Sequence, residues 1–361
     1  MTLRLTVDGP RWRDHLREVA ERSPGLVPVA KGNGYGLTLG RLARRADWLG
    51  CDVIAVGTYA ELPEVASRFS GDLLVLTPWL AARDKHSEHD LDPTLARRVI
   101  HTVSRPSDLG DLLSRQPGAR VVLERQTSMR RHGLSAADLW TLAGHARGRA
   151  RLEGVTIHLP MASGTGHRDG ANLAEARALM TDIIGAGVIG TSSATVWVSH
   201  LTAAELATLR QEYADLTFRP RIGTGLWLGD RGALEVSATV QDVHPLRRGD
   251  VFGYRRRTAL RAGHLIVASG GTAHGLGLSA PTGEGSLRAR TSAAARGGLD
   301  ALGLVRSPYF WEGQQLVFAE PPHMQASMLL LPRGARVPEV GERIPLRVRY
   351  TTTTFDETVI D

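Results

Sequence analysis

Short apolar runs alternate with amphipathic stretches through the first two thirds of the chain. Leu3-Arg4-Leu5-Thr6-Val7-Asp8 alternates apolar and polar, the period of a strand, and Trp12–Arg22 carries the 3.6-residue period of a helix. Then comes Val27-Pro28-Val29-Ala30, an apolar run ending in Lys31 and a loop with three glycines, followed by a helical pattern over Leu37–Leu49. Seven further strand-like runs follow: Asp52–Val56, Leu73–Leu76, Val99–Val103, Arg120–Glu124, Gly154–His158, Thr195–Ser199 and Phe218–Ile222. Between them lie helical stretches, among them Tyr59–Phe69, Pro106–Arg115, Ala136–Arg147, Ala171–Ile184 and Thr202–Tyr213. Eight strands alternating with helices over roughly 220 residues predict a closed (β/α)8 TIM-type barrel of the usual size. An open doubly wound sheet would carry a dinucleotide fingerprint or fewer strands.

Near Gly232 the pattern changes. Glu235–Val240 and Leu346–Thr351 alternate with period two, His264–Ala268 and Gln315–Ala319 are short apolar runs, and glycine and proline punctuate them. This predicts a mostly antiparallel β domain. The expected division is 9–231 for an α/β barrel and 232–361, joined by the strand at 1–8, for the β domain. The loop Ala162–Gly170 reads as flexible.

Composition narrows the class. With 42% hydrophobic and 22% charged residues the chain is globular in type. No apolar run reaches membrane-spanning length, no leader-like segment opens the chain, and a cytoplasmic location with no membrane role is expected. The single cysteine, Cys51, lies in a strand-like run and reads as core. The net charge of +7 suits acidic partners. The arginines are nevertheless scattered, aromatics are few, and no RNA- or DNA-binding motif accompanies them, so no nucleic-acid partner is expected.

Charge type is informative. Of the 44 basic residues only two are lysines. Lys85 sits in a polar run and reads as solvated, while Lys31 follows apolar strand residues, where an ammonium is costly and its pKa tends to fall. A lysine required for Schiff-base chemistry and a lysine snorkelling from a strand end are level readings of this stretch alone.

Barrel enzymes place their chemistry at the carboxyl ends of the strands. Those ends here supply Lys31, Glu124, His158, Ser199 and Arg221, with Tyr35, Arg131, His200, Gly223 and Thr224 just beyond. Singly, His158 reads as a satisfied core histidine and Arg221 as an ion-pair partner. Their convergence, if the barrel closes, is the functional signal.

The run Ala30-Lys31-Gly32-Asn33-Gly34-Tyr35-Gly36 resembles the cofactor-lysine motif of alanine racemases, the fold-type III pyridoxal-phosphate enzymes. Further matches fall in order: Gln126–Gly133 with Arg131, His158, Arg221-Ile222-Gly223-Thr224, Gly249–Tyr254, and His323–Met328. The resemblance implies a pyridoxal 5′-phosphate-dependent racemase acting on an amino acid. Lys31 and Tyr254 would be its two bases. The cofactor would be held by Lys31, Tyr35, Arg131, His158, Ser199, Arg221, Gly223 and Thr224, and the substrate by Arg131 and Met324. It also implies a homodimer with shared active sites, the tyrosine arriving from the second subunit, and a hydrogen-bond chain Tyr254–His158–Arg221.

There are departures. Glu124 stands where the family often has a lysine, and an ion pair with Arg131 is expected. His323 replaces a cysteine, Gln325 an aspartate, and Ser269–Gly275 a segment that normally carries a tyrosine. The final stretch Thr351–Asp356 does not offer the family's usual phosphate-binding tyrosine. These changes surround the substrate and leave its side chain open. The alternatives are another fold-type III enzyme, an aldolase or dehydratase, or a cofactor-binding protein with little turnover. Some such enzymes add a metal. His274 and the His86/His89 pair lack partners at a convincing spacing, so no metal is expected.

Overall fold

The computed structural model describes residues 2–81, 91–161, 170–187, 195–278 and 305–361. Lys85, the His86/His89 pair and residues 162–169 lie outside them. The chain forms two compact units: His15–Gly34 with Thr38–Gly229, and Met1–Asp14 with Tyr35–Leu37 and Asp230–Asp361.

The first unit is a closed parallel barrel. Its strands are β2 (Val27–Ala30), β3 (Val53–Val56), β4 (Asp72–Val75), β5 (Val99–Val103), β6 (Arg120–Arg125), β7 (Arg151–His158), β8 (Thr195–Ser199) and β9 (Thr217–Ile222). Each pairs in parallel with the next, and β9 closes onto β2 through Val27↔Arg221 and Pro28↔Ile222. The strands β2, β3 and β5 are buried at every position. That is why they read as continuous apolar runs: one face meets the barrel interior and the other the helices outside. Val27, Val29, Val53, Ala55, Leu74, Ile100, Val122 and Trp197 pack as the interior cluster.

Each predicted helical stretch holds a helix, and the four-residue helices at Pro93–Ala96 and Thr224–Trp227 lie outside those stretches. The helices are α1 (Gly9–Glu21), α2 (Leu39–Trp48), α3 (Leu62–Ala66), α4 (Pro93–Ala96), α5 (Pro106–Arg115), α6 (Ala136–Ala146), α7 (Ala171–Gly185), α8 (Ala203–Glu212) and α9 (Thr224–Trp227). Their starts are chemically marked. Thr202 and Glu205 form a reciprocal capping box at α8, Ser135 caps α6 through the Asp138 amide, and Pro106 opens α5. Among the described residues no helix is long and apolar enough to cross a membrane.

The second unit is built on a sheet ordered β14-β15-β16-β13-β10-β1-β18, with β17 also on β10. Its strands are β1 (Leu3–Val7), β10 (Leu234–Leu246), β13 (Gly263–Ser269), β14 (Arg306–Trp311), β15 (Gln314–Phe318), β16 (Ala326–Leu331), β17 (Arg343–Pro345) and β18 (Glu357–Ile360). A separate hairpin joins β11 (Val251–Phe252) to β12 (Arg257–Thr258). Neighbours are antiparallel except β1 and β18. Leu3, Leu5 and Val7 face the core, which accounts for the alternation at the start of the chain.

One expected strand is absent. Leu346–Thr351 alternates in burial, yet the strand lies earlier, at Arg343–Pro345; Leu346 makes an isolated bridge to Tyr309 and its amide donates to the Val236 carbonyl. The Arg349 carbonyl accepts the amides of Thr352 and Thr353, so the chain turns there. Leu346 and Tyr350 are buried and Arg347 exposed, which imitates a strand's period without its ladder.

Leu74 is fully buried in the barrel's interior cluster. Leu74→Ala should destabilise the barrel by about 2–5 kcal/mol, read as a lower urea midpoint for its transition. An unchanged midpoint would contradict an interior position.

Candidate functional site

Lys31 follows β2 directly, and the next residues turn sharply: the Gly34 amide donates to the Lys31 carbonyl at 3.1 Å. Gly32 and Gly34 take φ of 60° and 62°, which is why glycine stands there. Glu61, not singled out from the sequence, holds this turn. Its Oε1 accepts the Gly32 amide at 2.7 Å, and its Oε2 accepts the Gly57 amide at 2.6 Å and the Thr58 amide at 3.2 Å. The spacing Thr58-x-x-Glu61, a capping-box signature, was the available signal.

Barrel closure brings six of the expected groups, Lys31, Glu124, Arg131, His158, His200 and Arg221, into electrostatic reach. Partial desolvation, then the charges of Arg131 and Arg221, lower the Lys31 pKa, against a smaller pull from Glu61. Arg221 is buried, and burial lowers its pKa to about 10, with Glu124 opposing and Arg131 assisting. Its Nη2 donates to the Ile157 carbonyl at 2.9 Å. Its Nε is buried with no hydrogen-bond partner among the described residues.

His158 ends β7 and is held by burial, then by Arg221, Arg131, His200 and Lys31, at a pKa of about 3. The His158 and His200 rings meet edge to face at 5.0 Å, and burial is also the first cause that lowers His200. Both imidazoles are therefore neutral near pH 7. Ser199 ends β8, opposite His158, and is buried. Gly223 and Thr224 open the one-turn helix α9 directly after Arg221 and Ile222. The first amides of any helix lack intrahelical acceptors.

The loops beyond the strands are pinned by side chains the sequence did not flag. Thr127 Oγ1 donates to the His158 carbonyl at 2.7 Å. Asn172 is buried, and its amide donates to the carbonyls of Pro160 and His200 at 2.9 and 2.8 Å, tying the turns after β7 and β8 together. No local pattern announces these roles, because each partner is distant in the chain.

Two expected links are not formed. Glu124 and Arg131 make no ion pair. Glu124 is buried and accepts the Ser104 hydroxyl at 2.5 Å, and its charge acts on Arg221. Ser104 follows β5, next to β6, so the neighbouring strand supplies a closer partner than the loop does. His158 and Arg221 are also not hydrogen-bonded to each other. The guanidinium reaches the backbone of Ile157, one residue earlier.

The remaining expected residues lie in the β-rich unit. Tyr35, buried at φ 56°, groups there. Tyr254 is at the tip of the β11–β12 hairpin, 85% exposed, and Met324 is 72% exposed. The loop carrying Met324 is held by the stretch that departs from the family pattern. The amides of Gly270, Thr272 and Ala273 donate to the carbonyls of Gln325, His323 and Met324. His274, weighed as a metal ligand, is committed elsewhere: its Nδ1 accepts the Gly271 amide and its Nε2 bonds Asp356. Among the described residues no group of three or more His, Cys, Asp or Glu is placed to hold a metal ion.

Comparison with known proteins gives consistent results. The family model described as the N-terminal domain of alanine racemase matches residues 7–211. The alanine racemase of Nitratidesulfovibrio vulgaris is 30% identical over 288 residues, covering 74% of each chain. Among solved structures, alanine racemase from D-cycloserine-producing Streptomyces lavendulae superposes with a TM-score of 0.71 at 18% identity, over 100% of this chain and 97% of that one. The E. faecalis alanine racemase gives 0.69 at 17% identity over 99% and 98%. The Bartonella henselae enzyme, with covalently bound pyridoxal phosphate, gives 0.68 at 17% over 97% and 91%.

The depressed His158 pKa has a measurable consequence. The unfolded chain protonates this residue near 6.5 and the folded chain only near about 3. Between those values the unfolded state binds more protons, so stability falls as pH falls. His158→Gln should flatten that part of the dependence in urea midpoints taken across the window. Identical slopes for the two proteins would contradict a buried neutral imidazole.

Proposed function

The chain belongs to the alanine racemase family, and from that premise we propose that Lys31 and Tyr254 are the two bases of a pyridoxal-phosphate-dependent amino-acid racemase. The observation that carries the cofactor site is Arg221 Nε, a buried N–H donor without an acceptor among the described residues. Buried donors are nearly always satisfied, and a pyridine nitrogen is an acceptor without a proton of its own. The cationic set Lys31, Arg131 and Arg221, with two neutral histidines beside it, also suits a phosphate-bearing ligand.

In this reading Lys31 holds the cofactor covalently. Arg221 would donate to its ring nitrogen through Nε, unpartnered among the described residues, and Arg131 and His158 would help hold it. The Ser199 hydroxyl and the opening amides of α9 at Gly223 and Thr224 take the phosphate, with Tyr35 added by resemblance. Arg131 and Met324 meet the substrate. When bound, the cofactor supplies the electron sink that makes the substrate Cα–H acidic.

The protein's own groups then manage the proton. The lowered Lys31 pKa makes the neutral amine more available to accept or return it on one face. Tyr254 does so on the other. Arg221, at about 10, stays cationic near neutral pH and offers the ring nitrogen a hydrogen bond while withholding a proton. That keeps the sink weak and limits side reactions. Tyr254, Met324, Val251 and Leu260 are exposed on the β-rich unit, which supports a homodimer whose second copy covers them and receives the tyrosine. We place this dimer in the cytoplasm.

Lys31→Ala should abolish the visible absorbance of bound cofactor, and Tyr254→Phe should keep it while losing Cα–deuterium exchange from one enantiomer. The test is a spectrum of each variant together with an exchange screen across L- and D-amino acids. A colourless wild-type protein that takes up no added cofactor would sink the cofactor site. A loaded protein that exchanges no amino acid would instead be a cofactor-holding protein.

A further inference from the structure

Tyr254 occupies the four-residue tip of a hairpin with only two ladder pairs, Val251↔Thr258 and Phe252↔Arg257. Such a short hairpin is weakly held by its own hydrogen bonds. A side chain that must exchange a proton at one defined atom needs a fixed orientation, because displacement by about 1 Å can cost about a hundredfold in rate. The hairpin must therefore be held from outside, and its neighbour in the same unit does this.

Glu320 is 3% exposed. A carboxylate that deep requires partners, and it has two. Oε2 accepts the Tyr254 backbone amide at 2.9 Å, and Oε1 bonds His323 Nε2 at 2.6 Å. The His323 ring lies against the Tyr254 ring, with centroids 4.6 Å apart and planes tilted by 37°. On the other arm of the hairpin, Arg257 Nη1 donates to the carbonyl of Ala319 at 2.7 Å.

The backbone is shaped to admit this arrangement. Gly253 has φ +72°, and a Cβ there would stand 2.3 Å from Glu320 Oε2. His323 is itself clamped: its amide donates to the Ala326 carbonyl and its carbonyl accepts the Thr272 amide. A Cβ at Gly271 would lie 2.1 Å from that same carbonyl, so the close approach needs glycine.

We propose that Glu320 and His323 form a positioning dyad for Tyr254. Glu320 anchors the backbone of Tyr254 and the ring of His323 at once, and His323 gives the phenol a flat wall that limits its rotation. Neither touches the substrate. Where the family resemblance supplies cysteine at position 323, a thiol offers no such wall. The dyad rests on the reading of Tyr254 as one of the two bases.

The test uses cofactor-loaded enzyme: wild type, His323→Ala, His323→Phe, Glu320→Gln and Tyr254→Phe. One readout is single-turnover Cα–deuterium exchange from each enantiomer of the amino acid that exchanges fastest. The other is the ring signal of 13C-labelled tyrosine, the Tyr254 line among the six tyrosines being the one missing in Tyr254→Phe. His323→Ala should slow exchange from the enantiomer served by Tyr254 by about tenfold or more and leave the Lys31 face within about twofold. It should also shift the Tyr254 ring line, while His323→Phe, which keeps a flat ring, recovers part of both effects. Glu320→Gln, the milder variant if His323→Ala folds poorly, should show the same asymmetry to a smaller degree.

Equal slowing of both enantiomers, or an unmoved Tyr254 line, overturns the dyad and leaves Tyr254 as a base. Unchanged exchange from both enantiomers in Tyr254→Phe overturns the dyad and the two-base reading together.

Discussion

Three cationic side chains share one barrel mouth. Burial, then the charges of Arg131 and Arg221, lowers the proton affinity of Lys31, and burial, with Arg131 assisting, lowers that of Arg221. Bringing like charges together in a partly dry site is unfavourable. The fold offsets this with Glu124 and Glu61, each placed by contacts of its own, and with two histidines kept neutral. The result is a lysine with a more available amine, a guanidinium with one N–H unpartnered among the described residues, and a positive field for an anion.

The β-rich unit solves a different problem. It displays two exposed side chains, Tyr254 and Met324, on short elements with little rigidity of their own. Rigidity comes from neighbouring loops: Glu320 under the hairpin, and the amides of Gly270, Thr272 and Ala273 under the loop that carries Met324. One stretch that departs from the family pattern is thus the scaffold of the loop it supports. His274 and Asp356 extend that scaffold to the start of β1, where the Leu3 amide donates to Asp356 Oδ2 at 2.7 Å.

Much of the architecture was legible along the chain. Eight apolar runs alternating with helical periods predicted the barrel, because strands buried on both faces have no polar side to interrupt them. The helical stretches read as starting at Thr202 and Pro106 begin where the structure has a capping box and a first-turn proline, both of which act on adjacent backbone. Leu346–Thr351 misled for the converse reason. Alternating burial is necessary for a half-buried strand, yet it does not supply a ladder partner.

The sequence by itself determined the order of elements, the solitary lysine at a strand end and the residue types that would gather beyond the strands. Those signals are local: periodicity, turn chemistry and the choice of lysine over arginine. Only the tertiary structure decided which groups touch. It gave Glu124 to Ser104 and not to Arg131, sent Arg221 to the Ile157 backbone, and set Glu320 beneath Tyr254, 66 residues away in the chain. Hydrogen-bond geometry and desolvation depend on closing the barrel and stacking the sheet, and no window of sequence contains either.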